Sequence, residues 1–333
     1  MAEISSTEWD SFLAQHPDHH ILQTSPWGQL KTEFGWQVTR IAVKNCGAQI
    51  LVRQVFPGIR FAYLPKGPVG ADWDGLWPEI DAFCRRQHYV FMKIEPDLWE
   101  SENEQNGNRT VEIPENFIVS RHSIQPMRTL LVDISGDEVQ ILGRMKQKTR
   151  YNINLALKKN VVVKPHTDMS TFYHLMEITG QRDQFSIHNQ AYYQHAYDLF
   201  NRLDHCQLFV AELEDTPLAA LIVFSYGKRA WYFYGASSNI HKELMPNYLL
   251  QWEAIRWAKS QNCTLYDLWG VPDADIATLE ANFSTHNEGL WGVYRFKRGF
   301  GGELMRASGP WDRVYNPALY ALYRWRFRNK APE

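Results

Sequence analysis

The sequence lacks most of the features that would take a chain out of the ordinary globular class. Its four cysteines, Cys46, Cys84, Cys206 and Cys263, are scattered without paired spacing, which speaks against a disulfide framework or a zinc site. No run approaches the roughly 18 consecutive apolar residues that span a bilayer. The opening stretch MAEISSTEWDSFLAQHPDHH has no basic segment leading into an apolar one, so it does not read as a signal peptide. A net charge of -2 argues against bulk attachment to long nucleic acid, while a local basic patch for one RNA end stays open. There is no G-x-S-x-G elbow and no cysteine with an evident partner, so nothing calls for a covalent nucleophile. The expectation is a monomer in a reducing cytoplasm, with neither metal nor cofactor.

What is present is the composition of a packed protein. At 333 residues the chain exceeds the usual single-domain size, and two domains with two cores are expected. A hydrophobic share of 44% against 22% charged excludes disordered and fibrous classes. The abundant Trp, Tyr and Phe belong mostly to cores.

The order of elements repeats. In the first half QVTRIAVK and AQILVRQVF form a hairpin across Asn45, Cys46 and Gly47, followed by the strand RFAYLPKGPV, the helix WPEIDAFCRRQHY and the strand VFMKIEPD. In the second half QLFVAELE and PLAALIVFSYG form a hairpin through Asp215 and Thr216, followed by the strand RAWYFYGAS, the helix NYLLQWEAIRWAKSQ and the strand TLYDLWGVPD. A mixed α/β architecture with crossover helices accounts for both halves. This order also occurs in the acyl-CoA N-acyltransferase (GNAT) fold, so two tandem GNAT-like domains are expected. SENEQNGNRT and DADIATLEANFSTHN read as surface loops. NPALYALYRWRFRNK reads as a helix with Asn316 as cap and Pro317 at its first position, returning to the first domain. The expected domains are 1–143 completed by 308–333, and 144–307. The second opens on RMKQKTRYNINLALKKNV, in a stretch from Val139 to Thr167 that has no acidic residue.

Several of these segments together resemble the Fem family of peptidoglycan interpeptide-bridge aminoacyltransferases (the FemA, FemB and FemX group). They are RMKQKTRYNINLALKKNV, WYFYGASS with NYLLQWEAIRWAK, YDLWGVPD, and YRFKRGFGGEL followed by NPALYALY; SPWGQLKTEFGW with YLPKGPV matches more weakly. They cover nearly the whole chain in order. The resemblance implies transfer of an amino acid from aminoacyl-tRNA to the stem-peptide amine of a peptidoglycan precursor, UDP-MurNAc-pentapeptide or lipid II. Some members carry a helical hairpin arm in the second domain. No sustained heptad pattern occurs here, so the chain resembles the compact, armless form.

An aminoacyl ester is already activated, so the enzyme has to hold two substrates, keep the amine unprotonated and stabilise a tetrahedral oxyanion. By resemblance, Lys297 places a cation at the reacting ester and Phe296 shapes the channel for the tRNA terminus; the bland alternative is a solvated strand lysine beside a packed Phe. Lys31 matches a family lysine that pairs with the precursor's phosphates, against a plain surface lysine. His188 and Tyr192 align with a family Arg and Tyr that contact the same phosphates or the peptide. His in the Arg position weakens phosphate recognition, and Arg182 is a candidate to compensate. Glu95 is a candidate to accept the amine's proton or to orient the peptide. Tyr63, Tyr232 and Tyr234 are candidates to hydrogen-bond the peptide, against ordinary strand packing. Asp267 reads equally as a structural strand-end carboxylate.

Lys146, Lys148, Arg150, Lys158 and Lys159 form the candidate tRNA contact, against a merely solvated face. Trp325, Arg324, Arg326 and Arg328 would suit peripheral contact at the inner face of a membrane, against core docking through Tyr320 and Tyr323. Two other functions stay open. A CoA-dependent N-acyltransferase would need a glycine loop for the pyrophosphate, and neither half has one where it belongs. A non-catalytic paralogue that binds precursor or tRNA is not excluded.

Overall fold

The computed structural model describes residues 3–71, 73–100, 115–286 and 288–327. The expected loop SENEQNGNRT and Arg328 lie outside the described residues. The chain forms two compact units, 1–127 with 305–333, and 128–304.

The first unit begins with α1 (Ser6–Leu13), capped by a reciprocal Ser5–Glu8 box, and α2 (Ser25–Glu33), capped by Thr24. Then come β1 (Gln37–Val43), β2 (Cys46–Phe56), β3 (Ile59–Pro65), α3 (Trp77–Arg86), β4 (Phe91–Glu95), β5 (Trp99–Glu100) and β6 (Phe117–Val119). The β1–β2 turn is Lys44–Asn45, because Val43 pairs with Cys46. Gly47 therefore lies in the strand, contrary to the expected turn. A Cβ there would stand 2.7 Å from the Trp9 ring, so the glycine serves packing.

The second unit opens with β7 (Arg128–Asp133), α4 (Glu138–Arg144), α5 (Gln147–Lys158), β8 (Val162–His166), α6 (Met169–Asp183) and α7 (Gln190–Asn201). It continues with β9 (Cys206–Leu213), β10 (Thr216–Tyr226), β11 (Arg229–Ser237), α8 (Pro246–Ser260), β12 (Leu265–Val271), α9 (Ile276–Asn282) and α10 (Leu290–Lys297). Its strands run in the order β7-β12-β11-β10-β9-β8, with only β11 and β12 parallel among these neighbours. β10 is apolar along most of its length because it is central, with strands on both sides and α8 and α6 packed against it. The unit begins at Arg128, sixteen residues before the expected boundary, since β7 pairs antiparallel with β12. The expected loop DADIATLEANFSTHN contains α9, capped by Asp275. The cap-then-apolar pattern was hidden by the polar flanks.

The chain then returns to the first unit through β13 (Glu303–Ala307), β14 (Trp311–Val314) and α11 (Pro317–Arg326), with Asn316 capping α11 as its sequence implies. β14 inserts between β4 and β6, giving the order β1-β2-β3-β4-β14-β6. A buried ion pair, Lys93 to Asp312 at 3.1 Å, joins β4 to β14, and Ser120 and Tyr320 each donate to Asp312 at 2.7 Å. Tyr320 and Tyr323 are buried against Phe91, with ring centroids 5.2 and 4.6 Å away, so core docking accounts for this face of the helix. No helix among the described residues is long and apolar enough to cross a membrane.

Candidate active site

The candidate site in the second unit is built around Lys297. It ends α10, not a strand, and is only 5% exposed, so the solvated-strand alternative does not hold. Its ammonium donates to the carbonyls of Trp269 at 3.2 Å and Gly270 at 2.8 Å, and lies 5.6 Å from the centre of the Tyr232 ring. Burial pulls its pKa down to about 7, with Asp267 opposing.

Those two carbonyls are aimed by an irregularity in β12, where the register against β7 shifts between Asp267 and Gly270. Trp269 sits in the left-handed region at φ 60°, a conformation uncommon for a bulky side chain. The buried Asp267 carboxylate holds it there, accepting from the Trp269 N–H at 2.7 Å and from the Thr129 hydroxyl. Sequence reading left Asp267 undecided. Its partner Thr129 is far away in the chain, so the pair has no local signature.

α10 is fixed from outside by Glu280 on α9. This carboxylate accepts from Arg298 at 2.7 Å and Tyr294 at 2.8 Å, and lies 3.7 Å from Lys146. The Arg298 hydrogen bond is the main reason its pKa is held down at about 2. The glycines of RGFGG explain themselves here. A Cβ on Gly299 would strike the Thr149 hydroxyl, one on Gly301 the Arg144 carbonyl at 2.7 Å, and one on Gly302 the Leu131 carbonyl at 2.7 Å. The motif is the close approach that seats α10 against α4, α5 and β7.

A cavity of about 480 Å³ opens beside α10, lined by Arg182, Asp183, Tyr232, Asn247, Glu288 and Phe296 among others. Phe296 packs edge-on against Tyr248 and Phe300, centroids 5.0 and 5.2 Å away. Arg182 is locked bidentately to Asp183 at 2.8 Å and also donates to the Ser237 carbonyl at 3.1 Å. Gly235 leaves room for the Tyr232 phenol, which burial pushes up to about 12. The structure thus brings Arg182, Tyr232 and Phe296 to one cavity.

The other candidates fall elsewhere. His188 is exposed and stacks on Tyr192 with centroids 3.8 Å apart, while the Tyr234 hydroxyl lies 3.4 Å from that of Tyr192. Tyr232 and Tyr234 do not share a site, because the β10–β11 register shifts between their partners Val223 and Ile222. In the first unit Glu95 is buried, and its oxygens accept from the Tyr63 hydroxyl at 2.6 Å, the Gln125 N–H at 2.9 Å and the Ile124 N–H. Burial raises its pKa, against those three donors. Lys31 is half-buried on α2, its ammonium 4.8 Å from the centre of the Trp27 ring.

The basic segment is divided. Lys148, Lys158 and Lys159 are exposed, as is Lys146 at the cap of α5. Arg150 instead turns back on the end of α4, donating to the carbonyls of Met145 and Leu142. No group of three or more His, Cys, Asp or Glu among the described residues is placed to hold a metal ion.

Comparison with known proteins agrees with this architecture. The chain is 24% identical to the lipid II:glycine glycyltransferase of Staphylococcus epidermidis, covering 96% of this chain and 94% of that one. That alignment runs over 404 positions against 333 residues here, so the relative carries inserted residues this chain lacks. A crystal structure of FemX superposes with a TM-score of 0.82 at 22% identity, over 97% of this chain and 99% of that one. A tandem GNAT protein from the clavulanic acid biosynthesis pathway superposes at 0.52 and 10% identity, over 94% and 97%. Both confirm two GNAT-like domains as the fold. The FemAB family profile matches residues 4–216 and 202–326, and the chain belongs to the FemAB family.

Proposed function

We propose that the chain is an aminoacyltransferase of interpeptide-bridge synthesis, moving an amino acid from aminoacyl-tRNA to the stem-peptide amine of UDP-MurNAc-pentapeptide or lipid II. The observation that carries this reading is the buried Lys297 ammonium, anchored by two carbonyls beside the Phe296 and Tyr232 cavity. The name of the staphylococcal relatives supports the same class of reaction.

In this reading the amine attacks the ester carbonyl, the C–N bond forms and the C–O bond to the tRNA breaks. The departing oxygen takes a proton and the former ammonium loses one. Lys297 stabilises the oxyanion and supplies the proton to the departing hydroxyl; a pKa of about 7 suits giving and regaining it near neutrality. The exposed Lys146, Lys148, Lys158 and Lys159 serve the tRNA phosphates. Glu95, with three donors on its oxygens, orients the 124–125 segment instead of taking up a proton. Arg182, His188, Tyr192 and Lys31 remain the proposed precursor contacts.

A CoA donor is disfavoured by the start of α8. Pro246 occupies its first turn and has no N–H, and no glycine lies between Gly235 and Pro246 to cradle a pyrophosphate. The test is transfer of labelled amino acid from a mixed charged-tRNA pool onto UDP-linked and lipid-linked precursor, with products identified by mass. The expected result is one aminoacyl addition, lowered by at least about 100-fold in Lys297→Met. Absence of transfer to either precursor would sink the reading.

A further inference from the structure

We propose that the outward face of α11, together with the neighbouring 118–121 segment, docks on the surface of an anionic lipid bilayer, with Trp325 inserted among the headgroups. The inward face of the helix is occupied by the core through Tyr320 and Tyr323. At about 100° per residue, Ala318, Ala321, Leu322 and Trp325 form a stripe on the opposite side. All four are exposed, Trp325 by 72% and Leu322 by 45%. The stripe leaves a large apolar ring in water, and an indole is best accommodated where lipid headgroups meet acyl chains.

Charge selects the occupant. By the same helical step Arg324 and Arg326 flank the stripe, one on either side. Arg324 rests against Tyr320 and Arg326 against Phe327, each guanidinium 5.8 Å from a ring centre. The His122 Nε2 lies 3.1 Å from the Phe327 carbonyl, and the exposed Arg121 lines the same small recess as Arg324. No acidic residue occurs between Asp312 and Glu333. On β6, Ile118 is 42% exposed and pairs with Asp312, whose carboxylate reaches Tyr320. Ile118 therefore faces the α11 side of the sheet and adds to the apolar surface there.

An apolar strip with guanidinium groups on both flanks is the pattern of a helix lying in the plane of a bilayer, its rings inward and its charges at the phosphates. A second copy of the chain fits worse, because a two-fold pairing sets the same arginines face to face with no acid of this segment between them. RNA would engage the arginines but leave Leu322 and Ile118 in water. One indole and a few cations give a reversible attachment that depends on anionic lipid.

The proposal stands apart from the transfer reading, because docking is measured without RNA or precursor. The full chain is floated with vesicles of phosphatidylcholine alone and of phosphatidylcholine mixed with phosphatidylglycerol, at low and at high salt. Partitioning onto the mixed vesicles is expected to be at least about tenfold stronger than onto neutral ones, and to weaken with salt. Trp325→Ser and the double variant Arg324→Gln/Arg326→Gln should each lower it by at least about fivefold, with thermal melting unchanged. Lys158→Gln/Lys159→Gln on α5 should bind as the wild type does. Equal partitioning onto both vesicles, wild-type binding by Trp325→Ser, or an equal loss in the α5 variant would each overturn it. So would a dimer in sedimentation, or a complex with uncharged tRNA, that depends on Trp325 while vesicles do not bind.

Discussion

At the scale of single residues the site turns on a lysine and the carboxylate that places its acceptors. Asp267 fixes the left-handed Trp269, and Trp269 and Gly270 present the carbonyls that hold Lys297. Its charge also favours the protonated lysine. If Lys297 works as a cation, kcat/KM for transfer falls as pH rises through about 7, the pKa that burial gives it. Asp267→Asn keeps an acceptor for the Trp269 N–H but removes the charge, so the same falling limb moves to lower pH, by about half to one unit. A pH profile that does not move would rule out the electrostatic part of this role. Lys297 was legible in the sequence because it sits in a recognisable segment. Asp267 was not, since its meaning depends on Thr129 and on a bulge that no local pattern announces.

At the scale of elements, α10 is positioned by what surrounds it more than by its own sequence. Gly299 touches Thr149 on α5, while Glu280 on α9 grips Arg298 and Tyr294. Gly299→Ala forces a methyl into the Thr149 hydroxyl. The expected cost is about 1–3 kcal/mol, read from urea unfolding, with transfer falling by more than the stability loss explains. Strands and crossover helices were readable from period and length, because β10 is apolar from Leu218 to Phe224 and α8 shows a helical stripe. Turns and short helices were less so. Gly47 looked like turn chemistry and proved to be a packing glycine, and α9 was masked by its polar flanks.

At the scale of the whole molecule, the first unit is built from both ends of the chain. Its sheet is completed by β14, sealed by the Lys93–Asp312 pair, and covered by α11 through Tyr320 and Tyr323. Tyr323→Ala should therefore lower the stability of this unit by about 3 kcal/mol, seen as an earlier transition in denaturant unfolding. A single unchanged transition would show that α11 contributes little. The expected return of the C-terminal helix to the first domain was legible from Asn316, Pro317 and the paired tyrosines. The insertion of β14 between β4 and β6 was not, because strand order leaves no trace in a short strand's composition.

That insertion also fixes a timetable during synthesis. The second unit is continuous, so it can close as soon as residue 304 has cleared the ribosome. The first unit emerges earlier but must wait, with the buried strand β4 offering an unpaired edge until Val314 appears. The half made first is the half finished last, and in the interval its exposed edge is what a chaperone would have to shield.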